Sequence, residues 1–148
     1  MARKYGGPKR PIDKELVFVK SDSVGTTQDA MTIRTSTVAE TYTGGHITIA
    51  HTRQSGGYIN IVLAVVPEGL TVPTVSTTDG DSLYQPEEHV VWATTFRSAS
   101  SSVEEHHRVA KIKTMRKMKN GDRLILIARG SAASVGNITC VVTAFFKQ

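Results

Sequence analysis

Short runs of apolar residues, alternating with polar ones or filling a run outright, punctuate this chain from residue 15 to its end. Residues 15–20 (ELVFVK), 31–37 (MTIRTST) and 46–52 (HITIAHT) are rich in valine, isoleucine and threonine, which fit a pleated, half-buried surface. Residues 58–66 (YINIVLAVV) form a longer apolar run whose length suits a buried strand. Residues 88–97 (EHVVWATTFR), 123–129 (RLILIAR) and 137–147 (NITCVVTAFFK) continue the series. Between the runs lie Gly44 with Gly45, Gly56 with Gly57, and Asn120-Gly121-Asp122, read as turns that need positive φ. A longer loop before residue 88 carries Pro67, Gly69, Pro73 and the Asp79-Gly80-Asp81 turn. Short strands at this spacing predict an all-β sandwich or barrel.

One segment fits two periods. Residues 102–119 (SVEEHHRVAKIKTMRKMK) open with Ser102 and Glu105 in the spacing of a helix capping box, and Val109, Ile112 and Met115 recur every third residue. As a strand, the same stretch turns Ala110 and Ile112 inward and Lys111 and Lys113 outward. Local pattern leans slightly to helix. A strand within 106–115 would bring the count to eight, the number a jelly roll requires.

Candidate core and site residues follow from these runs. Cys140 is the single cysteine, sits in an apolar run with no base or metal-ligand partner nearby, and reads as a small core residue. Val90, Trp92 and Phe96 share one strand face and read as core rather than as a base-stacking platform. His46 and His51 fall on opposite faces of their strand, as do the adjacent His106 and His107, so neither pair can share a metal. With Glu104 and Glu105, the second pair reads as a polar loop or strand entrance. Asp79 and Asp81 are too few carboxylates to distinguish a cation site from a simple turn. No metal and no cofactor are expected. There is no Gly-rich phosphate loop, H-E-x-x-H, G-x-S-x-G or C-x-x-C pair, and no enzymatic activity is expected.

The 148 residues suit one domain, with residues 1–13 as a basic disordered arm and 14–148 as the folded part. The arm (MARKYGGPKRPID) has almost nothing apolar to bury. No run approaches a membrane span and no apolar signal region follows the basic start, so a soluble protein without membrane insertion is expected. The lone cysteine suits a reducing compartment. Charge is distributed unevenly. Residues 1–11 carry four basic and no acidic side chains, net +4; residues 12–107 carry five and twelve, net −7; residues 108–148 carry nine and one, net +8. If folding gathers the two basic segments on one face, that face suits a polyanion.

Three stretches carry a family resemblance. Residues 83–93 (LYQPEEHVVWA), 113–129 (KTMRKMKNGDRLILIAR) and 139–148 (TCVVTAFFKQ) stand in the order found in capsid proteins of circular Rep-encoding single-stranded DNA viruses. Agreement through residues 41–69 is weaker. The chain resembles that family, and the resemblance implies a single eight-stranded jelly roll of two four-stranded sheets, assembled into a T=1-like icosahedral shell of about sixty copies. It also implies a packaged single-stranded DNA genome, a virion protein that passes through the host nucleus, and host import factors and a surface receptor as partners. Its genome-facing residues would be Arg3, Lys4, Lys9 and Arg10 of the arm with Lys111, Lys113, Arg116, Lys117, Lys119 and Arg123. Gly121 would make the tight turn and Asp122 would accept from nearby backbone amides, leaving Arg116, Lys117 and Lys119 clustered at one end of the sandwich.

The arm is shorter and poorer in arginine than is usual in that family. About sixty copies at +5 give about +300, enough for a few hundred phosphates. A satellite RNA virus coat protein, with the same fold and a short basic arm, is an alternative. A non-viral single-stranded nucleic-acid-binding β-barrel is another, yet of nine aromatics only Tyr5 lies inside a basic run. A lectin-like sandwich would not need the +4 arm.

Overall fold

The computed structural model describes the backbone of residues 13–53, 57–77, 84–97, 105–131 and 136–148, and side chains at 24–51, 57–77, 84–96, 107–131 and 137–148. Ten strands follow in chain order: β1 (Asp13–Val24), β2 (Asp29–Thr35), β3 (Glu40–Arg53), β4 (Tyr58–Val66), β5 (Thr74–Val75), β6 (Tyr84–Gln85), β7 (Val90–Arg97), β8 (Glu105–Met118), β9 (Arg123–Gly130) and β10 (Gly136–Lys147). Eight of them form two antiparallel sheets in the orders β1-β10-β3-β8 and β2-β9-β4-β7; β5 and β6 pair separately. Each large sheet draws strands from both halves of the chain. That is the topology of a jelly roll.

Alternation along each strand explains the layering. Ile138, Cys140, Val142, Ala144 and Phe146 of β10 are buried at every second position, facing Ile47 and Ile49 of β3 and Ile112 of β8 in one cluster. The opposing sheet contributes Met31 and Ile33 of β2, Ile59, Ile61 and Leu63 of β4, Phe96 of β7, and Leu124 and Leu126 of β9 to the same cluster. Cys140 is therefore core, and burial pushes its thiol up to about 11. An ion pair stands beside this core: the half-buried Arg34 donates to both carboxylate oxygens of the buried Glu40 at 2.6 and 2.8 Å, and the Ser36 hydroxyl adds a third bond. The guanidinium lies 4.7 Å from the centre of the Phe146 ring, and its bond to Glu40 raises its already high pKa.

The outer face of the β2-β9-β4-β7 sheet has its own, smaller cluster. Val62, Ala64 and Val66 of β4 and Ile125 and Ile127 of β9 point away from the main core and are covered by Val72, Val75 and Tyr84. Hence β4 and β9 are apolar on both sides, and their sequences run apolar without alternation. The cover comes from the β4–β7 connection, tied down where Gln28 donates to the Pro73 carbonyl and accepts from the Val75 amide, and where Arg129 donates to the Val75 carbonyl.

Three sequence expectations change. Residues 105–118 form β8, not a helix: Ile112 is buried, whereas Val109 and Met115 are 70% and 79% exposed, so the three-residue spacing marks no buried face. The inward Ala110 and Ile112 and outward Lys111 and Lys113 of the strand alternative hold. Ser102 lies outside the described residues. Val90 does not share the face of Trp92 and Phe96, because a bulge in the β4–β7 ladder at Leu63/Ala64 turns Val90 to the outer cluster; Trp92 packs against the main core but stays half-buried. Gly44 and Gly45 make no turn. They sit inside β3, with φ of +94° and +149°.

A Cβ at Gly44 would lie 2.1 Å from the Ile112 carbonyl oxygen of β8, and one at Gly45 would lie 1.9 Å from the Thr143 oxygen of β10. At the same place the register of β3 shifts against both neighbours, so Tyr42 and Ile47 both face inward despite their odd spacing. The Gly121 turn behaves as expected: φ is +93°, and Asp122 accepts from the Lys119 amide at 2.8 Å and the Glu68 amide at 3.0 Å. Backbone bonds from Gly121 to the Ser36 carbonyl and from Ser36 to the Asp122 carbonyl dock this turn on the β2–β3 connection.

Two stability measurements follow. Gly45→Ala is expected to abolish soluble folded protein, since the methyl meets backbone on the adjacent strand, whereas Gly69→Ala, with nothing within 4 Å, should cost only about 1–2 kcal/mol for its positive φ. A cooperative urea transition of near-wild-type midpoint for Gly45→Ala would contradict the close approach. Asp122→Ala should lower stability by about 1–3 kcal/mol through two lost charge-assisted acceptors, read from the shift in the same transition.

Candidate nucleic-acid interface

The outward face of the β1-β10-β3-β8 sheet has no cover like that on the other sheet among the described residues. On β8 it presents Lys111, Lys113, Met115 and Lys117, all exposed, because odd positions of that strand point away from the core. Such side chains recur about every 6.8 Å along the strand. From β3 and β10 the face receives His46 and Lys147, also exposed, and the half-buried Phe145. Among the described side chains facing outward on β3, β8 and β10 there is no acid. Ladder pairing sets Asp13 and Glu15 against Lys147 and Phe145, at the β1 edge of the sheet, three strand spacings or about 14 Å from β8.

The basic residues singled out from the sequence divide into three groups. Lys111 and Lys113 flank a depression of about 530 Å³ between β3 and β8. Lys117 and Lys119 converge with Lys147 around a second, of about 290 Å³. Arg116 and Arg123 do something else: Arg116 donates to the Glu88 carbonyl at 2.9 Å and Arg123 to the Leu70 carbonyl at 2.7 Å, each holding the β4–β7 connection. The expected cluster of Arg116, Lys117 and Lys119 is thus split, since an even position of β8 turns toward the opposing sheet and the odd one away from it. Arg108 is likewise engaged, donating to Thr94 and the Thr95 carbonyl with its guanidinium 4.6 Å from the Phe96 ring centre.

Arg3, Lys4, Lys9 and Arg10 lie outside the described residues, as do Asp79 and Asp81. His46 is exposed and His51 buried, on opposite faces as their spacing requires. Among the described residues no group of three histidine, cysteine or acidic side chains could hold a metal ion.

Sequence reasoning did not single out His46 and Phe145 as neighbours of the lysines. Antiparallel pairing brings them there: Gly44 stands opposite both Lys113 and Phe145, and His46 opposite both Lys111 and Thr143. The His46 and Phe145 rings are 6.4 Å apart and nearly perpendicular. The only signal along the chain is the outward parity of each residue on its own strand.

No family model matches the chain, and no curated protein matches it. Among solved structures it is similar to that of the infectious bursal disease virus Gx strain, at 7% identity and a TM-score of 0.39, covering 93% of this chain and 36% of that one. It is also similar to the infectious bursal disease virus VP2 subviral particle, at 14% identity and a TM-score of 0.30, covering 94% and 41%. A third is the decameric BFDV capsid protein, at 9% identity and a TM-score of 0.22, covering 94% and 100%. The chain thus spans less than half of the length of the first two. Similarity this loose assigns no residue a role.

Proposed function

We propose that this chain is a viral coat protein that self-assembles into a small icosahedral shell and packages a single-stranded genome, DNA on the family resemblance. The observation that carries the reading is the contrast between the two outer faces of the sandwich. One is closed by the chain's own β4–β7 connection over an apolar cluster; the other has no such cover among the described residues, with a row of lysines on β8 and no acid among its described outward side chains on β3, β8 and β10. Lysines crowded on one face repel one another and gain nothing from the fold. A polyanion relieves that repulsion and releases its condensed counterions.

In this reading the open face lines the shell and the arm, net +4, hangs from the same sheet, because β1 belongs to it. The opposite sheet then faces outward, with the exposed Glu68, Glu87 and Glu88 on its connection. The role is structural and non-catalytic. A total near +300 for about sixty copies suits a short genome. Import factors that read the arm and a host receptor that meets the outer loops complete the proposal.

Purified recombinant protein is expected to form closed particles of uniform diameter and megadalton mass by light scattering and electron microscopy; a monodisperse monomer across salt and pH would overturn the coat-protein reading. Deleting residues 1–11 removes four positive charges per copy and should leave particle formation intact while lowering the 260/280 nm absorbance ratio. An unchanged ratio would transfer the packaging role wholly to the sheet.

A further inference from the structure

Resting on that reading, we propose that the depression between β3 and β8 is a nucleotide subsite. In it one base of a single strand packs against Phe145 and His46, and Lys111 and Lys113 take the flanking phosphates. The ladder register builds the site in two rows. Lys113, Gly44 and Phe145 lie side by side on three adjacent strands, and the next row holds Lys111, His46 and Thr143. In the first row a glycine stands between a cation and an aromatic ring two strand spacings, about 9.6 Å, apart, and the neighbouring Gly45, which has no side chain, lines the depression. The resulting depression, about 530 Å³, falls within the usual range of small-molecule sites.

The lining chemistry selects the occupant. Lys111, Lys113 and His46 are exposed, and no carboxylate lines the depression. Phe145 is half-buried, with its edge-to-face partner His46 beside it, so an apolar ring surface adjoins the cations. Met115, 79% exposed, adds a polarisable thioether to the rim. A bare anion would need only the lysines. A single-stranded nucleic acid uses both parts, since every base has a π-face and every linkage a phosphate. The second lysine group, Lys117, Lys119 and Lys147, has no aromatic in its lining and would contact backbone alone.

Photo-cross-linking tests this with the full chain. The probe is a short oligodeoxynucleotide carrying 5-iodouracil, added to the protein before assembly, with an abasic oligonucleotide of equal length for comparison. Cross-links should map to Phe145 or His46. The base-bearing probe should bind about fivefold or more tightly than the abasic one, and Phe145→Leu should erase that difference while particles still form. Lys111→Ala with Lys113→Ala should lower the salt slope of log affinity by about 1.4, at about 0.7 per contact. Lys117→Ala with Lys147→Ala, which removes the same charge, should weaken both probes equally and leave their ratio unchanged. Binding with cross-links confined to the arm, or equal affinity for both probes, overturns the subsite and leaves the packaging reading standing. No binding of either probe overturns both. Cross-links at Phe145 in a protein that forms no shell support the subsite and refute the coat protein.

Discussion

The close approach of three strands at Gly44 and Gly45 is the constraint on which the rest of this sandwich depends. β3 is an interior strand with β10 on one side and β8 on the other, and at this point both neighbours place a carbonyl oxygen where a Cβ would be. Glycine here admits positive φ and removes the atom that would clash. The accompanying irregularity also changes which parity of β3 faces inward, so that Tyr42 stacks near Phe146 while Ile47 and Ile49 fill the main core. Without that switch, one end of β3 would present its apolar residues to solvent.

The second of these glycines also bears on the outer surface. Gly45, without a side chain, lines the depression between the lysine-bearing edge strand β8 and the aromatic end of β10. A single backbone device therefore serves packing and recognition at once. It needs no catalytic group and no loop. The site lies on paired strands, at the place where the register of β3 shifts against both neighbours.

Half-buried polar groups hold connections in position. Arg116, Arg123 and Arg129 each donate to a carbonyl of the β4–β7 connection, and Asp122 accepts from one amide of its own turn and one of that connection. Arginine suits this role because its fork bonds carbonyls at a distance while its stem lies along the strand; the lysines keep their charge in solvent. The division of the basic residues into clamps and free cations thus follows residue type as well as strand parity.

Several strands were legible directly, because valine, isoleucine and threonine at period two have no better solution than a half-buried sheet, and the Gly121-Asp122 turn was legible because its geometry is local. The burial of Cys140 and the opposed faces of His46 and His51 followed from the same period. The β8 segment was not. Its three-residue apolar spacing is compatible with a helix, and only the two-sided demand of β3 for a partner makes it a strand, with Val109 and Met115 left exposed. Gly44 and Gly45 read locally as a turn, since nothing along the chain reveals a carbonyl arriving from 68 and 98 residues away. The grouping of His46, Lys111, Lys113 and Phe145 is likewise a property of register. Sequence by itself determined the fold class, the two basic ends and the parity of strands whose alternation runs unbroken, such as β10, because these depend on neighbours in the chain. Which aromatic stands beside the lysines was decided by tertiary pairing, because adjacency across a sheet is set by ladder register and not by distance in sequence.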